Sequence, residues 1–244
     1  MANTKQKPAV RKKTQNMKNA PAAALNPAVK VLFNVLMMAI TFAFLLCLAT
    51  WIILLLKPLY YLMVHTMNIT ESSGQTYEVC CRNYDAMVDY NLLWGPKILS
   101  FPDFVMSAGG AIHFREVKTI FVAMQITAIA ALPFVVGGYV LSKKVREFFW
   151  LKGTIFLTAA VILFIGGAFA VNWEGAFVAF HRLMFDNDYW LFDSATDPVI
   201  TILPDGVFLV LGIGILVLMA AGLLACGLLY RKNRRQYGLS PARK

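Results

Sequence analysis

Four long apolar runs constrain this chain more than any other feature of its sequence. They lie at about residues 29–56, 117–141, 153–172 and 206–230. A helix needs about 20 apolar residues to cross the hydrocarbon core of a bilayer, and each run meets that length. Backbone groups in lipid must form hydrogen bonds within their own segment, so each run should be a helix. We therefore predict an all-α membrane protein, built as a bundle of four transmembrane helices.

The composition agrees with a membrane protein and excludes a soluble nucleic-acid binder. The chain is 59% hydrophobic and 15% charged, whereas a soluble domain carries about 25% charged residues. Its net charge of +10 invites a nucleic-acid interpretation. However, the cations cluster at the ends of the apolar runs and not over a folded face, so we expect no nucleic-acid partner.

The distribution of charge predicts the orientation in the membrane. Seventeen of the 23 Lys and Arg residues lie before or at the start of the first run, between the second and third, or after the fourth. Only one acidic residue, Glu147, shares those segments. The positive-inside rule then places both termini in the cytoplasm and the two connecting loops, 57–116 and 172–205, outside the plasma membrane. The predicted divisions are a disordered basic tail (1–27), a transmembrane catalytic domain (28–231) and a second basic tail (232–244).

Two histidines are the strongest candidates for chemistry. His113 lies where the second helix is predicted to begin, and His181 lies just beyond the third. Both should sit at the outer membrane surface, where a compact bundle could bring them together. Glu116 follows His113 by three residues, which puts both on one helix face and could hold the imidazole in one tautomer. Arg182 adds positive charge beside His181. Histidine suits proton transfer near neutral pH, so the pair indicates acid–base catalysis.

A metal site is the competing interpretation of the same residues. The two histidines, Glu116 and one aspartate could form a set of nitrogen and oxygen ligands. No local histidine pair such as HExxH supports it, so we expect neither a metal nor another cofactor. The candidate aspartates are Asp186, Asp188 and Asp193.

The segments around the two histidines resemble one known family. The order His113-x-x-Glu-Val-Lys118 and then, after the third span, His181-Arg182-x-x-Phe185 is similar to the lipoprotein intramolecular transacylases of Gram-positive bacteria. The resemblance covers roughly residues 28–232, and the family usually has Asp where this chain has Glu116. Further residues of the shared pattern, expected to support the site or bind substrate, are Ser107, Lys118, Trp190 and Asp193.

The resemblance implies a reaction on a diacylated bacterial lipoprotein. The α-amine of its N-terminal cysteine would take an acyl chain from the sn-2 ester of the diacylglyceryl group, giving the lyso-form lipoprotein. We assign His113, steadied by Glu116, as the base that deprotonates the amine. His181 would polarise the carbonyl or protonate the leaving oxygen, while Arg182 would hold carbonyl or phospholipid oxygens. The reverse assignment of the two histidines stays open.

Other functions share the same outline. Four spans and two outer loops also describe tetraspanin-like and claudin-like scaffolds without catalysis, and Cys80 and Cys81 echo their loop cysteines. Those scaffolds depend on loop disulfides, whereas these two cysteines are adjacent. A transporter is a third option, without a broken helix or a charge pair at mid-span to support it. Acyl-chain preference, lipoprotein specificity and oligomeric state are not encoded in any pattern we recognise.

Overall fold

The computed structural model of the chain describes residues 25–238, and no strand occurs among them. Most of the predicted N-terminal tail, 1–24, and the last residues of the second tail, 239–244, lie outside the described residues. The helices are α1 (Pro27–Leu55), α2 (Lys57–Thr66), α3 (Ile69–Ser73), α4 (Tyr77–Tyr90), α5 (Ala108–Val145), α6 (Phe149–Val171), α7 (Trp173–Met184), a short 3-10 helix (Pro198–Ile202) and α8 (Asp205–Tyr237).

Four of these helices are long and apolar enough to cross a membrane, namely α1, α5, α6 and α8. The predicted four-helix, all-α membrane fold is therefore confirmed. Two helices are longer than the apolar runs that indicated them. α5 starts nine residues before position 117, and α8 continues seven residues beyond position 230. At 1.5 Å per residue the 38 residues of α5 span about 57 Å, so α5 extends well past a 30 Å hydrocarbon core.

The early start of α5 has a local cause. The Ser107 hydroxyl oxygen accepts the backbone N–H of Gly110 at 2.9 Å, which caps the helix almost three turns before the apolar run begins. The sequence had suggested that His113 lies at the start of this helix. His113 lies instead inside α5, on its second turn. The polar residues His113, Arg115 and Glu116 lie before the apolar run, and the helix includes them.

α1 packs against the three other spanning helices through small residues. A Cβ atom added at Gly222 of α8 would lie 2.6 Å from a Leu45 methyl group, and one added at Gly214 would lie 2.8 Å from Ile53. These glycines let the backbones of α1 and α8 approach closely, as small residues do in other membrane bundles.

The start of α1, the turn between α5 and α6, and the end of α8 meet at one end of the bundle. The Lys30 ammonium lies 2.7 Å from the Glu147 carboxylate, and the Arg146 guanidinium lies over the Tyr237 ring at 5.6 Å. The three cation-rich segments of the sequence are thus on the same side of the protein. Which side of the membrane this is remains a prediction from the positive-inside rule.

The two connecting segments fold together at the opposite end, and they are largely helical. The Tyr60 hydroxyl of α2 donates to the Ile202 carbonyl at 2.8 Å, and the Tyr60 and Tyr84 rings stack 3.8 Å apart. We call the two connecting segments the outer layer, after their predicted orientation. They have their own apolar core, in which Tyr60, Val64, Val88 and Ile202 are fully buried. The outer layer is a packed platform around the outer ends of α5 and α8.

Candidate active site

The imidazole rings of His113 and His181 converge in the structure. Their ring centroids are 6.1 Å apart, and the ring planes differ by 34°. His113 is on the second turn of α5 and is only 6% exposed. His181 is on the last turn of α7 and is half-buried. Two residues 68 positions apart in the sequence therefore share one small volume.

Aromatic rings surround the two imidazoles. Phe185 and Phe192 lie 4.8 and 5.5 Å from the His113 ring. Trp190 stacks on His181 at 4.8 Å, and Phe177 lies 4.1 Å from it. This apolar setting disfavours charged imidazolium, so both rings are kept close to their neutral forms.

One hydrogen bond fixes the tautomer of His181. Its Nδ1 atom is 2.8 Å from the backbone carbonyl oxygen of Phe177, one turn earlier on α7. Because a carbonyl can only accept, Nδ1 carries the hydrogen and donates, which leaves the lone pair of the neutral ring on Nε2. Burial lowers the pKa of His181 below its usual range, while the hydrogen bond to Phe177 opposes that shift.

Glu116 forms no hydrogen bond with His113 among the described residues, contrary to the contact predicted for this pair. The Nδ1 atom of His113 is buried and has no hydrogen-bond partner within residues 25–238. Glu116 instead accepts from the Asn187 side-chain amide, at 3.0 Å to Oε1 and 3.3 Å to Oε2. Spacing by three placed both residues on one helix face, but the carboxylate is directed at the second connecting segment.

The other predicted residues divide into two groups. Trp190 contacts His181 directly, and Arg182 is exposed beside it with no hydrogen bond or ion pair among the described side chains. The contacts of the remaining three involve neither imidazole. Lys118 donates to the Pro96 carbonyl at 2.5 Å, Ser107 caps α5, and the Asp193 carboxylate accepts the backbone N–H of Ala195 at 2.9 Å.

Sequence reasoning missed two residues that organise this region. Asp197 is 3% exposed, and its Oδ1 accepts the backbone N–H of Ser107 at 2.8 Å while Oδ2 accepts the Thr196 hydroxyl. Its carboxylate sits so close to Gly110 that a Cβ there would overlap it. The second residue is Asn187, the partner of Glu116. Neither residue was chosen as a site residue from the sequence, and no motif or spacing distinguished Asn187.

The metal hypothesis finds no cluster to support it in the part of the chain that the structure describes. No group of three or more His, Cys, Asp or Glu side chains there is arranged to hold an ion. The predicted aspartate candidates Asp186, Asp188 and Asp193 are all exposed. The four cysteines are present as free thiols, including the adjacent Cys80 and Cys81.

Comparisons with known proteins agree on one family. The family model described as lipoprotein intramolecular transacylase Lit matches residues 35–208. An in meso structure of the membrane integral lipoprotein intramolecular transacylase Lit from Bacillus cereus matches with a TM-score of 0.84 and 30% identity, over 88% of this chain and 100% of that one.

Two further structures of the Bacillus cereus protein are also similar. A histidine-to-alanine variant matches with a TM-score of 0.78 and 30% identity, over 87% of this chain and 97% of its own. A histidine-to-arginine variant matches with a TM-score of 0.74 and 32% identity, over 88% and 96%. No curated protein matches the chain in sequence.

Proposed function

The chain belongs to the lipoprotein intramolecular transacylase family and is therefore an acyltransferase of the membrane, and from this premise we propose that His113 and His181 together catalyse O-to-N acyl transfer within a diacylated lipoprotein. The observation that carries the proposal is the 6.1 Å separation of the two rings in an apolar setting. The same family membership favours this function over a four-span scaffold without catalysis.

The proposed reaction converts one ester into one amide within a single molecule. The α-amine of the N-terminal cysteine attacks the carbonyl carbon of the sn-2 ester and forms a tetrahedral oxyanion. The carbon–oxygen bond to glycerol then breaks, and an N-acyl amide and a free glycerol hydroxyl remain. One proton leaves the amine and one reaches the glycerol oxygen, so the protein returns to its starting state without water, an oxidant or a nucleotide.

We assign His181 as the base, the reverse of the first assignment from the sequence. The hydrogen bond from Nδ1 to Phe177 supports this, because it leaves a lone pair on Nε2 of a neutral ring. The substrate amine is largely protonated at neutral pH, so it first releases one proton to solvent as it enters the apolar site. His181 then takes the second proton, which the neutral amine loses when it attacks the ester. The proton held on Nε2 is then available for the departing glycerol oxygen.

His113 has the complementary role in this proposal. Its Nδ1 atom is buried without a partner, and a lone pair there is less costly to leave unpaired than an N–H group. The neutral ring would then carry its hydrogen on Nε2 and donate it to the carbonyl oxygen, where negative charge develops. Arg182, exposed beside His181, would hold further substrate oxygens.

The substrate itself supplies much of the rate enhancement. The amine and the ester belong to one molecule, and a well-oriented intramolecular reaction gains up to about 7–11 kcal/mol over the bimolecular one. The protein needs only to fold the lipid headgroup into a reactive conformation and to move protons. Two fixed histidines are sufficient for that task, and an apolar enclosure excludes water that would hydrolyse the ester.

The surroundings of the site suit a lipid substrate. Phe180 and Leu183 project from α7 with 53% and 82% exposure, and Leu191 is 62% exposed. Apolar side chains so placed at the outer end of a membrane bundle would contact acyl chains. We further propose that this end is extracytoplasmic, because the cation-rich segments lie at the opposite end.

The test replaces each histidine by glutamine in the full-length protein. His113→Gln and His181→Gln should each lower the rate by about 10²–10⁴-fold, since each removes an acid–base group. The product is an isomer of the substrate, so tandem mass spectrometry must show whether the N-terminal fragment carries the acyl chain. His65→Gln is the matched control, because His65 is exposed and stacks on Tyr77. Full activity in both single variants would refute the proposal.

A further inference from the structure

Asn187 forms three hydrogen bonds with different partners in the second connecting segment and α5. Its side-chain amide donates to Glu116, and its Oδ1 accepts the backbone N–H of Tyr189 at 3.1 Å. Its backbone carbonyl accepts the indole N–H of Trp190 at 3.0 Å. The amide therefore ties α5 to the segment that carries Trp190.

The packing of α7 does not by itself hold His181 in place. None of the residues of α7 is buried. The helix is fixed to its neighbours mainly by ring contacts, such as that of Phe177 with Phe208 of α8 at 5.6 Å. A helix at the periphery of a bundle can shift with little loss of buried apolar area. The distance between the two histidines must then be set by contacts at the end of α7.

A continuous set of contacts joins the two rings through Asn187. Glu116 follows His113 by three residues on the rigid α5 helix, so the carboxylate and the imidazole move together. Glu116 accepts from Asn187, Asn187 accepts from Trp190, and Trp190 stacks on His181 at 4.8 Å. We propose that Asn187 is a positioning residue that sets the spacing of His113 and His181 by joining Glu116 to Trp190. This inference rests on the proposed function of the two histidines.

The inference also explains what Glu116 does. A carboxylate on α5 provides two acceptor oxygens for the Asn187 amide and strengthens the bond by its charge. Its effect reaches His181 through the second connecting segment, although it neighbours His113 in sequence. Acyl transfer is sensitive to such spacing, since a shift of about 1 Å in a reacting group costs up to about a hundredfold in rate.

The experiment exchanges the polarity of the bond between the two side chains. Asn187→Asp keeps the shape and the acceptor for Tyr189 but places a second carboxylate against Glu116. Adding Glu116→Gln restores the hydrogen bond in the opposite direction, because the new side-chain amide at position 116 can donate to the new carboxylate at position 187. We expect kcat, expressed per folded protein, to fall about ten- to a hundredfold in Asn187→Asp with little change in KM, and to recover to within about threefold in the double variant.

Asp188→Asn is the matched control, because it also changes one charge and alters the neighbouring exposed side chain. Its activity should stay close to that of the unmodified protein. Wild-type kcat in Asn187→Asp, or a double variant no better than the single one, would overturn the positioning role. Both results leave the proposed function intact as long as His113→Gln and His181→Gln are inactive; full activity of those two variants would refute the proposed function instead.

Discussion

At the scale of single residues, the hydrogen bond between His181 and the Phe177 carbonyl determines which ring nitrogen would face the substrate in the proposed mechanism. The acceptor lies one turn earlier on the same helix, at 2.8 Å, so α7 itself supplies the group that fixes the tautomer. Many catalytic histidines are held by a carboxylate, which also raises the pKa of the ring. A neutral carbonyl orients the ring with a smaller rise in pKa, which keeps it unprotonated and able to act as a base.

The pH dependence of the rate should report this arrangement. Burial lowers the pKa of His181 from its ordinary value of 6.5. The neutral ring is the active form, so kcat should be constant near pH 7 and fall only when the pH drops through that lowered pKa. Trp190→Ala would admit water to the ring and raise its pKa. The acid limb of the kcat profile should then move to higher pH, with activity lost earlier on acidification.

Leu183→Ala is the control for that measurement. Leu183 is on the same turn of α7 but is 82% exposed, so its removal should leave the acid limb in place. Any limb due to the substrate amine is common to all three proteins and cancels in the comparison. An acid limb that stays at the same pH in Trp190→Ala would mean that the ring of His181 does not titrate in the rate-determining step.

The residue types at the site were predictable from the sequence, but their partners were not. Two lone histidines at the predicted outer ends of helices indicated a candidate site, because ionisable groups at that depth are costly. The spacing of Glu116 indicated a common helix face with His113 and could not indicate the direction of the carboxylate. Asn187 lies in an irregular segment without periodicity, so only the three-dimensional arrangement shows its contacts.

At the scale of secondary-structure elements, α5 is both a membrane span and a support for the outer layer. Gln125 is 1% exposed on this helix. Its amide donates to the Asn91 carbonyl at 2.9 Å, and its Oε1 accepts the backbone N–H of Leu93 at 3.0 Å. The chain end of α4 is thus fixed to α5 about three turns below His113.

Loss of that amide should loosen the outer layer. Gln125→Leu removes the partners of the Asn91 carbonyl and the Leu93 N–H. Asn91 is 3% exposed, so loss of the bond to its carbonyl should cost about 1–3 kcal/mol. We expect a clear decrease in melting temperature of the purified protein in detergent. Thr127→Val, at an exposed position of the same helix, should change it little. Equal melting temperatures for the two variants would show that the Gln125 bonds do not contribute to stability.

The extents of the helices show where apolar runs are informative. The start of α1 and the end of α6 fall within two residues of the predicted limits. At these two places the apolar sequence and the helix have the same boundary. α5 and α8 run on into polar sequence, where caps and contacts with other elements determine the ends. The helices α2, α4 and α7 of the connecting segments have 10, 14 and 12 residues, so a search for apolar runs of membrane length does not find them.

At the scale of the whole molecule, the chain separates its charges between the two ends of the bundle. The salt bridge between Lys30 and Glu147 and the contact of Arg146 with Tyr237 join the cation-rich segments at one end. The paired histidines lie at the other end, inside a platform made from both connecting segments. This division is the basis of the proposed orientation, in which the basic end is cytoplasmic and the histidines meet lipoproteins after these have crossed the membrane.

This orientation can be measured with single introduced cysteines in protoplasts. Ser194→Cys places a thiol in the second connecting segment, and Lys144→Cys places one at the last turn of α5; both positions are exposed. A membrane-impermeant maleimide should label Ser194→Cys in intact protoplasts and Lys144→Cys only after permeabilisation. The unmodified protein gives the background, because Cys47, Cys80 and Cys226 are buried and Cys81 is partly covered. Labelling in the opposite order would place the histidines in the cytoplasm, where no translocated lipoprotein could reach them.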